Sequence, residues 1–160
     1  MKDFNGAVGD NLALVTADEL SAKIRLSDVR SFSGQQLGVT IEFTLAPGWH
    51  IYGAPLPSAY TPTVVKFNDD VVASQQIVFP QPAAMGFKAL NETLPVYTGT
   101  FRASGTLLLR QKLPPGKHQV SGTIEFQECN DSICKIPQTA RFELPVKIDP
   151  MVPAAPHKAG

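Results

Sequence analysis

Hydrophobic and polar residues alternate along most of this chain with a period of two. Leu37, Val39, Ile41, Phe43 and Leu45 alternate with Gly38, Thr40, Glu42 and Thr44, which predicts a strand with one face in a core and the other in water. Ile24 and Leu26 alternate with Lys23 and Arg25 just before it. After the Pro47-Gly48 turn, Trp49 and Ile51 fall on one face, His50 and Tyr52 on the other. Thr63 to Phe67 reads as a short strand, and Leu107, Leu109, Gln111 and Leu113 run into Pro114-Pro115-Gly116, a strong turn signal. Val120, Gly122, Ile124 and Phe126 form the inner face of the next strand. Phe142, Leu144, Val146 and Ile148 alternate with Arg141, Glu143 and Lys147 in the last. No segment has a convincing helical period, although Leu12 to Leu20 leaves room for one short helical turn.

About seven to nine short strands with turn signals between them predict an all-β fold, an antiparallel β-sandwich. The long-range Cys…Trp…Cys pattern of immunoglobulin domains is absent, so a likeness to them is one of architecture. Residues 1–19 read as an N-terminal arm, 20–148 as the sandwich and 149–160 as a Pro/Ala-rich tail or linker. Such a tail suggests a natural protein that continues into another domain. Between Phe79-Pro80 and Val96-Tyr97 lies a long connection that carries Met85, Phe87 and Leu90. It reads equally as a functional lid or as a surface loop whose apolar residues fold back on the sandwich.

With 43% hydrophobic residues in 160, the chain can bury a core. Fourteen basic residues balance fourteen acidic ones, which sets nucleic acid aside as a partner. No apolar run approaches the roughly 20 residues that span a bilayer, so this domain is not expected to insert in a membrane. Met1-Lys-Asp-Phe-Asn has no apolar segment of a signal peptide.

Two cysteines change this picture. Cys129 and Cys134, the only ones, stand at the end of the strongest strand pattern. A disulfide between them would close a six-residue loop, worth about 2 kcal/mol by chain entropy against roughly 4–5 for a loop of a hundred residues. So small a gain favours a bond kept for its chemistry, that is, reversible thiol–disulfide exchange. Strand parity puts Cys129 with Thr123, Glu125 and Gln127, on the face away from the core, where exchange has access. Glu128 and Asp131 would raise a thiol pKa and Lys135 would lower it. Without an unusually acidic thiol, the pair would need a docked partner that presents its own reactive sulfur. Two other readings stay open: a static disulfide in a protein- or carbohydrate-binding module, and a copper-handling domain that uses Cys129, Cys134 and Met85. Zinc is a poor fit, because the only histidines are His50, His118 and His157 and no second ligand cluster exists. No metal or cofactor is expected.

Three places in the chain resemble the N-terminal periplasmic domain of the bacterial thiol:disulfide interchange protein DsbD and the related disulfide bond corrector domains. They are Pro47-Gly-Trp-His-Ile-Tyr-Gly, the stretch from Phe79-Pro80 to Tyr97-Thr-Gly, and Cys129-Asn-Asp-Ser-Ile-Cys-Lys-Ile-Pro. The resemblance implies an immunoglobulin-like sandwich with an inserted cysteine hairpin and a cap loop. It implies a periplasmic electron-transport domain, exported by a signal peptide not in this chain, of a system that also serves cytochrome c-type biogenesis. Its partners would be thioredoxin-fold proteins with Cys-X-X-Cys sites, and a fused or membrane-embedded redox module. By the resemblance Cys134 forms the mixed disulfide and Cys129 resolves it, Met85, Phe87 and Glu92 belong to the shielding cap, and His50, Tyr52 and Asp131 lie near the pair. Pro137 stands for the family's two prolines. Thiol:disulfide interchange would then be an activity of the larger system of which this domain is a part.

Overall fold

The structure is a computed structural model that describes residues 7–9, 11–87 and 91–150. Among them run thirteen strands: β1 (Ala7–Gly9), β2 (Leu12–Ala17), β3 (Leu20–Leu26), β4 (Arg30–Ser31), β5 (Gln36–Leu45), β6 (Ile51–Tyr52), β7 (Val64–Phe67), β8 (Val72–Val78), β9 (Ala83–Phe87), β10 (Glu92–Tyr97), β11 (Thr100–Leu109), β12 (Gly116–Phe126) and β13 (Gln138–Ile148). One sheet has the order β1-β2-β3-β5-β11-β8 and a second the order β4-β13-β12-β7. All their pairings are antiparallel except the short one between β4 and β13. The fold is an all-β, immunoglobulin-like sandwich.

The two-residue periodicity is the cause. Ile24, Leu26, Leu37, Ile41 and Phe43 of the first sheet and Val120, Ile124, Phe126, Phe142 and Leu144 of the second are fully buried in one core. Each such side chain contributes about 1.5–3 kcal/mol by leaving water. Their polar neighbours stay on the outer faces. A one-residue slip in register would reverse both sets. Where β11 meets β8 the backbones approach so closely that a Cβ on Gly105 would collide with the Gln76 carbonyl.

Three expectations change. Leu12–Ala17 is neither arm nor helical turn but β2, with Ala13, Val15 and Ala17 in the core. Its alternation, Leu-Ala-Leu-Val-Thr-Ala, buries small residues against β3 and is hard to see in a residue-by-residue pattern. The remainder of the 1–19 arm at residues 1–6 and 10, and of the tail at 151–160, lies outside the described residues. The strand through Leu107 and Leu109 stops at Leu109, short of Gln111 and Leu113, because the chain turns at Lys112 with φ +63°. Finally, the connection after Phe79 is no loop. It is a hairpin of β9 and β10, paired from Phe87↔Glu92 to Ala83↔Val96. With β6 it forms a third sheet, of order β6-β10-β9. Leu90, near its tip, lies outside the described residues.

Candidate functional site

β12 and β13 pair up to Phe126↔Gln138, and the chain between them forms the cysteine hairpin. Backbone hydrogen bonds from Lys135 N to Glu128 O (2.8 Å) and from Asn130 N to Ile133 O (2.9 Å) close it. Between these rungs Cys129 and Cys134 stand directly opposite, Cα to Cα 4.0 Å, and are joined by a disulfide. The Asn130 side-chain oxygen accepts from the backbone N–H groups of Ser132 and Ile133, both at 2.8 Å, which sets the turn. Gln127 ties the base of the hairpin: its Oε1 accepts from Thr61 N at 3.0 Å and its Nε2 donates to Lys135 O at 3.2 Å.

The two sulfurs differ in environment. Cys134 is exposed. Cys129 is only 1% exposed, which corrects the expected outward placement. Strand parity extends no further than the strand, and β12 ends at Phe126. Residues 126–129 are all buried, since the chain leaves the sheet and passes under β6. There Cys129 joins Tyr52, Leu94 and Val96 in a second core, against which Leu56, Tyr60, Met85 and Phe87 pack. His50, an expected strand neighbour of the pair, is 2% exposed and bridges Cys129 backbone to backbone.

The side chains around the pair form a connected set. His50 Nε2 lies 3.3 Å from the Tyr52 hydroxyl, which lies 3.9 Å from Cys134 Sγ. The Tyr60 hydroxyl donates to Glu92 Oε1 at 3.3 Å, and its ring packs on Tyr52 at 5.2 Å. Phe87 leans on His50, ring centroids 5.4 Å apart. Burial holds the His50 imidazole below its ordinary pKa, against the opposing field of Asp131. Burial, with Tyr60 and Glu92 nearby, pushes the Tyr52 phenol up to about 12.

A cleft of ≈530 Å³ opens over the disulfide, lined by Tyr52, Tyr60, Gly86, Phe87 and residues 129–134. Of the residues named from sequence, Cys129, Cys134, Tyr52, Phe87 and Asp131 meet in this cleft. His50 stands behind Tyr52, Glu92 behind Tyr60, and Met85 against the second core. Pro137 is exposed and outside the cleft, at the foot of β13. Tyr60 was not foreseen, because a lone aromatic among Pro, Ser and Ala has no period to mark it. Asn130 carried a readable signal, an Asn followed by Asp-Ser between two strands.

Lys135, next to Cys134 in sequence, points away to the base of the hairpin. Its ammonium lies 3.3 Å from Glu19, 3.4 Å from Glu128 and 3.6 Å from Asp18, and 4.6 Å above the Trp49 ring. Burial works against its charge, but the hydrogen bond to Glu19 and the fields of Glu128, Asp18 and Glu19 outweigh it and raise its pKa. Glu128 is fully buried and accepts from the Glu19 backbone N–H at 3.0 Å. Burial raises its carboxyl pKa despite the pull of Lys135 and that N–H. The acids at 18, 19 and 128 thus anchor the hairpin to the β2–β3 turn. Among the described residues no group of three or more His, Cys, Asp and Glu is placed to hold a metal.

Fold and site together define a β-sandwich that carries, at one end, a disulfide with one buried and one accessible sulfur. The chain belongs to the family described as "Thiol:disulfide interchange protein DsbD, N-terminal", whose sequence model matches residues 19–146. Among solved structures it is similar to the N-terminal periplasmic domain of ScsB from Proteus mirabilis. That match has a TM-score of 0.63 at 15% identity and covers 91% of this chain. The chain spans only 54% of that structure's length. A family 123 glycoside hydrolase from Clostridium perfringens aligns at 13% identity over 73% of this chain and 22% of its own, with a TM-score of 0.34, too slight to bear on function. No curated protein matches the chain. No helix among the described residues is long and apolar enough to cross a membrane.

Proposed function

We propose that Cys129 and Cys134 form a dithiol/disulfide couple that passes electrons between thioredoxin-fold proteins in the periplasm. The observation that carries this reading is the asymmetry of the pair: Cys134 is exposed at the cleft and Cys129 is 1% exposed. A visiting sulfur reaches only the first.

In the reducing direction, Cys134 as thiolate attacks one sulfur of a partner's disulfide. The new bond joins Cys134 to the partner, and the electron pair of the broken bond leaves on the partner's other sulfur. Cys129 then attacks Cys134, the mixed disulfide breaks, and the partner departs with both sulfurs reduced. Cys129 needs no access to solvent for this, only its 4.0 Å Cα neighbour. Phe87 and Met85, on the β9–β10 hairpin, act as the cap: the ring of Phe87 lines the cleft and narrows the approach to Cys134 until a partner displaces it. Glu92 steadies the cap through Tyr60. Asp131 and Pro137 belong to the hairpin that the partner meets. Electrons would reach the domain from a fused or membrane-embedded redox module.

Trapping tests the assignment. Cys129→Ser is expected to accumulate a mixed disulfide through Cys134 with a Cys-X-X-Cys protein of thioredoxin fold, resolved on a non-reducing gel. Trapping by Cys134→Ser alone reverses the two roles, and trapping by neither removes the proposal. A reduction potential below about −300 mV would mark the bond as structural instead.

A further inference from the structure

The proposed cycle begins from a thiolate on Cys134, and the chain must hold that charge. The obvious cation is held elsewhere: Lys135 is engaged by Glu19, Glu128, Asp18 and the face of Trp49. What does face the sulfur is the Tyr52 hydroxyl at 3.9 Å, itself 3.3 Å from His50 Nε2. Both side chains are buried, Tyr52 at 1% and His50 at 2% exposure, so water does not freely replace either contact.

We infer that Tyr52 donates a hydrogen bond to the Cys134 thiolate when the disulfide is open, and that His50 positions this hydroxyl by donating its own N–H to the phenol oxygen. The inference rests on the exchange reading above. It makes Tyr52 a catalytic residue, since it touches the reacting sulfur, and His50 a positioning residue that acts through it.

The phenol has a single proton and two acceptors within reach. A disulfide sulfur accepts weakly, so in the oxidised chain the hydroxyl proton turns to His50 Nε2. A thiolate accepts strongly. Once it forms, the hydroxyl turns to Cys134, and His50 must then present a proton at Nε2, either by changing tautomer or by taking a proton from solvent. Ionisation of Cys134 and the proton on His50 Nε2 are thereby linked, and the linkage is reciprocal. Tyr52 itself keeps its proton up to about pH 12, so it remains a donor throughout. The other groups that face this line are Asp131 toward His50, and Tyr60 and Glu92 toward Tyr52. Asp131 favours a charged imidazole. The electron balance is that of the exchange alone: two electrons pass from Cys134 and Cys129 to the partner's two sulfurs, and the relay moves only protons.

The test needs no partner, so its outcome is independent of the trapping experiment. In the full chain with Cys129→Ala, the rate of alkylation of Cys134 by iodoacetamide is followed against pH. Adding Tyr52→Phe is expected to raise the midpoint by about one pH unit, the weight of one hydrogen bond to a charged group. His50→Phe should raise it less, in the same direction. A merely structural loosening of the cleft changes the plateau rate at high pH and leaves the midpoint in place. In the unmutated reduced chain, nitrogen NMR of the His50 ring is expected to place its proton on Nε2 as Cys134 ionises. An unmoved Cys134 midpoint in a folded Tyr52→Phe chain, or a His50 ring without a proton on Nε2 once Cys134 has ionised, overturns the inference.

Discussion

Cys129 and His50 exchange both of their backbone hydrogen bonds: His50 N donates to Cys129 O at 2.9 Å, and Cys129 N donates to His50 O at 3.0 Å. The hairpin is thereby locked to the residue before β6. The lock buries Cys129 in the second core and leaves Cys134, across the turn, in solvent. It also fixes the height at which Tyr52, two residues along, meets the Cys134 sulfur.

Removing the cation beneath the hairpin should cost more than neutralising its buried partner. Lys135→Met leaves Glu128, which is fully buried, without its counter-charge, a loss of about 3 kcal/mol. Glu128→Gln keeps an acceptor for the Glu19 N–H and leaves Lys135 with Glu19 and Asp18, a loss of about 1 kcal/mol. Urea unfolding of the oxidised chain measures both. Equal losses would show that the Glu128–Lys135 contact is not the anchor.

Acid should weaken the fold through His50. Its folded pKa is lowered by burial, so between the unfolded value of about 6.5 and the lower folded value the unfolded chain binds more protons. Stability is therefore fully present above about pH 6.5 and is lost as pH falls through that window. Glu128, whose folded pKa is raised, has the opposite slope. Comparison with His50→Phe isolates the histidine: the difference in unfolding midpoint between the two chains should change with pH below about 6.5. A pH-independent difference would mean that folding leaves the His50 pKa at its unfolded value.

Trimming the cap should open the site at modest cost. Phe87 is half-buried against His50, so Phe87→Ala is expected to lose about 1–2 kcal/mol. Alkylation of reduced Cys134 should become faster, while Cys129 remains protected. Unchanged Cys134 reactivity would show that the ring does not screen the sulfur.

The phenols report on the cleft as well. All three tyrosines are held above the ordinary value, Tyr52 to about 12 and Tyr60 and Tyr97 by burial in lesser degree. An absorbance titration should place all three midpoints above the ordinary value of about 10, and Tyr52→Phe should remove the most alkaline step.

The sandwich was legible in the chain because burial on one face of a strand writes itself as alternation, as in Leu37 to Leu45 or Phe142 to Ile148. The cysteine spacing told of a turn and a bond across it, since both are matters of a few residues along the backbone. Tertiary structure alone decided which sulfur is covered. Parity counted from Ile124 and Phe126 gave Cys129 the wrong face, because alternation holds only while the chain stays in a sheet. Past Phe126, burial is set by what lies above the hairpin, here β6, Tyr52 and the β9–β10 cap. The same is true of the line from His50 through Tyr52 to Cys134, whose ends are distant in sequence and meet only because the backbone of residue 50 pairs with that of residue 129. Local order is written in local pattern, and the environment of a reactive atom is a sum over neighbours that the chain brings from elsewhere.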